Sequence, residues 1–197
     1  MVLPVVRENS ITVVSGLPRS GTSLMMQMLV AGGMPALTDN VRAHDDSNPR
    51  GYFEFEPVMR LRTEKSWLGQ AQGRAVKIIH LLLRELPTDD RFQYRVLFMK
   101  RPIQEVVASQ RMMLEQHGKK SADETALTKV YEDQVRQVED WLRTQPSFHF
   151  VLVEYHRILK EPVAVAKEIN LFLGADLDTA EMARVVDPAL CHQNNAK

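Results

Sequence analysis

The sequence predicts an α/β chain: a three-layer, open parallel sheet flanked by helices. Four short runs, residues 11–15, 75–79, 95–99 and 148–153, are mostly apolar rather than strictly alternating, as strands buried on both faces are. Between them lie stretches with apolar residues at helical spacing: 24–31, 58–68, 103–116, 126–143 and 163–173. Strands that alternate with helices lead to parallel pairing and right-handed crossovers. At 197 residues, 44% hydrophobic, the chain can bury one core, so a single domain over 1–197 is expected, with its core at about 10–175.

Each element has its own signal. The first run, Ile11-Thr-Val-Val-Ser15, is rich in β-branched residues and stops at Gly16. The helix that follows carries Met25, Met26 and Met28, which, with Met112 and Met113 further on, are read as core or pocket lining. Residues 38–51 hold Asp39-Asn40, Asp45-Asp46-Ser47-Asn48-Pro49 and Gly51, which is loop chemistry, and 117–123 is a second polar break between two long helices. Pro102 suits a first helical turn, and Gly174 after an apolar run is a helix stop. Glu132, Asp133, Glu139 and Asp140, with Arg136 and Arg143, read as a solvated helix face.

Composition narrows the function. Lys plus Arg number 25 and Asp plus Glu number 25, so no global basic field speaks for nucleic-acid binding, and an anionic ligand must be held locally. Cys191 is the only cysteine, which excludes an intrachain disulfide and a cysteine zinc site and fits a reducing compartment. The first residues lack the features of a signal peptide. The longest apolar stretch, 24–37, is interrupted by Gln27, Gly32, Gly33 and Pro35 and falls short of the ~20 residues a membrane span needs. A cytoplasmic protein without metal or membrane partner is expected.

The strongest local signal is the loop between the first strand and the first helix. Gly16 and Gly21 have the spacing of a Walker A motif and Ser23 its hydroxyl position, but Thr22 stands where the lysine belongs. A strand-to-helix loop presents backbone N–H groups and the positive end of the helix dipole to an anion. The cation has moved to Arg19, a planar fork of donors on the flank of the loop.

Pro18-Arg19-Ser20-Gly21-Thr22-Ser23 resembles the 5′-phosphosulfate loop of sulfotransferases that use 3′-phosphoadenosine 5′-phosphosulfate (PAPS). That family has a second motif, an arginine at a strand end followed eight residues later by a helical serine, and Arg101 and Ser109 match it. A proline follows Arg101 directly, where the family often has one residue between. Downstream, Phe150-Val-Leu-Val-Glu-Tyr155, Leu159-Lys-Glu-Pro162 and Asn170-Leu-Phe-Leu-Gly174 are similar to the family's last scaffold strand and helix. The resemblance covers about residues 10 to 175; residues 176–197 do not match the glycine- and lysine-containing segment that completes the nucleotide site in larger members.

The resemblance implies a P-loop-like sulfotransferase fold and the transfer of a sulfuryl group from PAPS to a hydroxyl or amine. Pro18, Arg19, Ser20, Gly21, Thr22 and Ser23 would take the phosphosulfate, and Arg101 and Ser109 the 3′-phosphate. Arg19 would also serve the leaving group. For the base, two candidates stand. His80 follows a segment similar to that carrying the catalytic histidine of cytosolic members, with Lys77 three residues before it instead of two, which puts the two on opposite faces if the strand continues. Glu54 is the carboxylate that fits the glycan- and tyrosine-directed members; in an extended segment it shares a face with Glu56, and Lys77 would then help hold the sulfuryl group. The acceptor would be lined by residues 38–51, the Tyr52–Phe55 aromatics and residues 117–123. Two other readings compete: a small P-loop kinase or nucleoside triphosphatase, with Glu154 as a magnesium-binding strand-end acid, and a nucleotide-binding module without a working base. Acceptor and oligomeric state are not coded in these motifs.

Overall fold

In a computed structural model describing residues 10–39, 52–116, 118 and 123–187, the four apolar runs form one parallel sheet. Its strands are β1 (Ser10–Gly16), β2 (Ala75–Lys77), β3 (Gln93–Lys100) and β4 (Phe148–Glu154), in the order β2-β1-β3-β4. The helices are α1 (Thr22–Ala31), α2 (Ile103–Gln116), α3 (Glu124–Thr144), α4 (Tyr155–Lys160), α5 (Pro162–Leu173) and α6 (Thr179–Arg184).

The apolar runs of β1 and β3 are two interleaved faces. Ile11, Val13, Tyr94, Val96 and Phe98 join Trp67, Leu68, Val138 and Leu142 in one core. Val14, Leu97 and Met99 join Met25, Met28, Leu29, Val165 and Ile169 in the other. A strand covered on both sides needs apolar residues at successive positions, which accounts for the missing alternation.

Three expectations change. Residues 58–68 are not one α-helix: two 3₁₀ helices, Glu56–Arg60 and Ser66–Ala71, take their place. Pro57 is the second residue of the first and Gly69 lies within the second, yet Val58, Leu61, Trp67 and Leu68 still face the core. The second strand stops at Lys77 instead of continuing to residue 79; Ile78 N still donates to Val14 O at 3.0 Å, and a 3₁₀ helix, His80–Glu85, begins two residues later. Met112 is exposed, so it does not line the core. Short α4 and α6 have weak periodicity and went unpredicted; α6 is started by Asp178, whose carboxylate accepts from Ala180 N and Glu181 N.

Residues 40–51, most of 117–123, and Cys191 lie outside the described residues. Among the described residues no helix is long and apolar enough to cross a membrane. The strand order reverses direction between β1 and β3, and in open α/β sheets ligands settle at the carboxyl ends of strands flanking such a point. The Gly16–Ser23 loop leaves β1 there, and Arg101 follows β3 on the adjacent strand, with Gly16 in register with Met99.

Candidate active site

The loop geometry follows from its two glycines. Gly16 has φ 146°, and a Cβ on it would stand 2.6 Å from Ser20 Oγ and 2.7 Å from the Met99 carbonyl. Gly21, the N-cap of α1, has φ 100°, and a Cβ there would meet the Tyr155 ring at 2.5 Å. Among the described residues no side chain caps α1, which leaves its first-turn amides available to an external anion. Thr22 and Ser23 form the first two residues of that turn, partly buried, while Pro18 is exposed at the tip of the loop. Ser20 is 1% exposed, and its Oγ has no hydrogen-bond partner among the described residues. A buried hydroxyl without a partner is costly, and a phosphate or sulfate oxygen would satisfy it.

The two motifs converge. Arg19, half-buried and left-handed at φ 68°, donates from Nε to Ser109 Oγ at 3.1 Å. Arg101 donates from Nη1 to the Arg19 carbonyl at 3.2 Å and from Nε to Glu105 Oε2 at 2.9 Å. Its guanidinium carbon lies 4.6 Å from the centre of the Tyr155 ring, and its side chain is 7% exposed. Glu105 in turn bonds His156 through Oε1, 2.8 Å from Nε2. Burial alone would raise the Glu105 pKa, but the bonds from Arg101 and His156 outweigh it and hold the carboxyl below its usual range.

The residues proposed for chemistry separate. Lys77 Nζ donates to the Tyr52 carbonyl and lies 3.6 Å from Glu54 Oε1. The segment carrying Glu54 is fastened to the chain before it: the Glu54 carbonyl accepts from Thr38 Oγ1 at 2.9 Å and from Asp39 N at 3.2 Å. Glu56 does not act beside Glu54, because it opens a 3₁₀ helix and pairs with Arg60 at 2.8 Å. His80 is elsewhere. It is 2% exposed, and its Nε2 is 2.9 Å from Gln134 Oε1 on α3. Burial pushes its pKa down, overcoming the opposite influence of Gln134 and the Gly16 backbone. The strand does not continue past Lys77, so the expected opposition of Lys77 and His80 across one strand gives way to two different surroundings.

Beside the loop a cavity of about 290 Å³ opens between the β1 and β3 ends and α3, lined by Leu17, Ser20, Phe98, Arg101, Val135 and Glu139 among others. Glu139 corrects the reading of α3 as carrying a wholly solvated acidic face: its side chain is 14% exposed and pairs with Lys100 at 3.0 Å. Tyr155, Glu105 and Gln134 also belong to these surroundings and were missed. Glu105 had a readable signal, standing four residues after Arg101 in the first turn of α2; Tyr155 and Gln134 had none, because only the fold brings them near. Among the described residues, no three His, Cys, Asp or Glu side chains gather as a metal site would require.

Comparison with known proteins places this geometry. A sulfotransferase domain family profile matches residues 10–196. Among curated proteins no match was found. Of solved structures, the sulfotransferase domain of the olefin synthase of Synechococcus PCC 7002 is 19% identical with a TM-score of 0.58, over 94% of this chain and 83% of that one. Mouse sulfotransferase SULT7A1, solved with PAP, is 21% identical with a TM-score of 0.58, over 98% of this chain and 69% of that one. A sulfotransferase from Alicyclobacillus acidocaldarius is 16% identical with a TM-score of 0.51, over 94% and 89%. These structures establish a shared fold; the family match, which spans almost the whole chain, establishes more, and the chain belongs to the sulfotransferase domain family, whose chemistry is sulfuryl transfer.

Proposed function

We propose that this chain transfers a sulfuryl group from PAPS to a hydroxyl or amine, with the phosphosulfate on the Gly16–Ser23 loop, the 3′-phosphate at Arg101 and Ser109, and Glu54 as the base. The observation that carries the reading is the meeting of two motifs about eighty residues apart: Arg19 Nε bonds Ser109 Oγ at 3.1 Å and Arg101 Nη1 bonds the Arg19 carbonyl at 3.2 Å. That PAP is the nucleotide in the SULT7A1 structure supports the same donor. The donor fits the residues present, since the first-turn amides of α1 and Ser20 Oγ, neither capped nor bonded by a side chain among the described residues, and two arginines all favour anionic oxygen.

In the transfer, the bond between sulfur and the 5′-phosphate oxygen breaks, a bond from the acceptor oxygen or nitrogen to sulfur forms, and the acceptor proton leaves to a base. Arg19 and the loop amides counter the charge that gathers on the departing phosphate. Lys77, at the end of the strand beside β1, is suited to hold a sulfuryl oxygen. Glu54 is the better base of the two candidates: its side chain is 42% exposed and next to Lys77, whereas His80 is 2% exposed, buried against the Gly16 backbone and bonded to Gln134. Glu154, the acid that a magnesium-dependent kinase would need, is exposed on β4, and Thr22 still stands in the lysine position.

Calorimetry with 3′-phosphoadenosine 5′-phosphate (PAP), ATP and GTP, each with and without magnesium, tests the donor. The expected result is tight, magnesium-independent binding of PAP; magnesium-dependent preference for ATP refutes the proposal.

A further inference from the structure

Arg101 is held on three sides before any ligand arrives. Glu105 takes its Nε at 2.9 Å, the Arg19 carbonyl takes Nη1 at 3.2 Å, and the Tyr155 ring lies beneath the guanidinium at 4.6 Å. Glu105 is itself fixed from the far side, because its other oxygen bonds His156 Nε2 at 2.8 Å on the first turn of α4. Each oxygen of this one carboxylate therefore has its own partner, one just after β3 and the other on α4.

By charge alone this carboxylate is out of place. A negative group against the arginine that takes a 3′-phosphate repels that phosphate, and it offsets part of the positive charge that attracts it. Orientation works the other way. An arginine side chain has several rotatable bonds, and a fork already fixed in its plane loses less freedom when it grips an anion. Burial strengthens the case: the Arg101 side chain is 7% exposed and Glu105 32%, so their contact is better shielded from water than an ordinary surface pair.

We propose that Glu105, braced by His156, is a positioning residue that fixes the Arg101 fork for the 3′-phosphate, so that it sets donor selectivity without touching the donor. The inference rests on the reading of Arg101 as a 3′-phosphate ligand, and the test separates the two.

Titration calorimetry of the full chain with PAP and with adenosine 5′-monophosphate gives an affinity ratio that reports the 3′-phosphate alone. Arg101→Ala is expected to lower PAP affinity about 30-fold or more while the monophosphate changes far less. Equal losses for both nucleotides would overturn the assignment of Arg101, and the inference with it. Given a selective loss there, Glu105→Gln is expected to lower PAP affinity about tenfold, with the monophosphate within about twofold, and His156→Ala about threefold in the same direction. Adding Glu105→Gln to Arg101→Ala is expected to cost nothing further, because the group being positioned is gone. Unchanged or tighter PAP binding by Glu105→Gln overturns the inference while leaving Arg101 in its role, since loss of charge without loss of orientation would tighten it. A loss shared equally by both nucleotides also overturns it. Should Glu105→Gln fail to fold by circular dichroism, His156→Ala decides: an unchanged ratio refutes the proposal.

Discussion

On the donor side, Gly16, Arg19, Ser20, Gly21, Arg101 and Ser109 stand at strand ends, in the tight turn between β1 and α1 or in the early turns of α2, and Arg19 is bonded to both Ser109 and Arg101. On the side assigned to the acceptor, Tyr52 and Glu54 lie on backbone without regular structure, held to Thr38, Asp39 and Lys77. The contrast has a physical basis. A phosphate is the same in every donor and is met by amides and arginines that the fold itself aims, whereas an acceptor is met by side chains on connecting segments, which vary at little cost to the sheet.

If the division is correct, changes on the two sides should damage different quantities. The largest effect belongs to Glu54→Gln, expected to lower kcat by about 10²- to 10⁴-fold with PAP affinity nearly unchanged, as removal of a general base does. His80→Gln should lower kcat by less than tenfold, and steady-state kinetics on both variants that showed the reverse order would move the base to His80. Next comes Gly21→Ala, where the added methyl enters the Tyr155 ring at 2.5 Å on a backbone of φ 100°. It should cost about 1–3 kcal/mol in stability by denaturant unfolding and weaken PAP and adenosine 5′-monophosphate alike; a normal Tm with only one nucleotide affected would break the idea that the loop is one unit. Ser109→Ala should be milder, about a tenfold loss of PAP affinity by calorimetry without loss of the monophosphate.

The smallest effect concerns pH. Because burial lowers the pKa of His80 from 6.5, the unfolded chain binds the proton more readily than the folded one. The stability from a neutral His80 is therefore complete above about pH 6.5 and is lost as pH falls through the depressed folded value. His80→Gln should flatten that acid limb in thermal melts as a function of pH, and an unaltered limb would show that His80 does not titrate there.

Much of the donor side was legible because its chemistry is written in short, fixed spacings: two glycines five positions apart, Arg19 between them, and a serine eight residues after Arg101. The sheet was legible for a similar reason, since four apolar runs separated by helical spacing leave few topologies open. The rest depends on contacts distant in sequence. Nothing local in 58–68 distinguishes 3₁₀ turns from an α-helix when the same apolar residues face the core in both. Nothing near His80 foretells Gln134, 54 residues on, whose bond and surrounding packing enclose the imidazole. Glu139 looked solvated for the same reason: its partner Lys100 comes from a strand, outside the helical periodicity by which its face was read.

Arg19 adopts the left-handed backbone at φ 68°, a conformation that costs an L-residue with a side chain roughly 1–2 kcal/mol. Glycine at this position would relieve the strain but remove the cation, and a lysine would keep the charge but lose the planar fork. Shape and charge thus make opposed demands on a single residue, and selection for thermal robustness alone would drift away from arginine here. The loop is a place where stability and activity trade against each other, and libraries selected only for survival of heating should return inactive sequences changed at position 19.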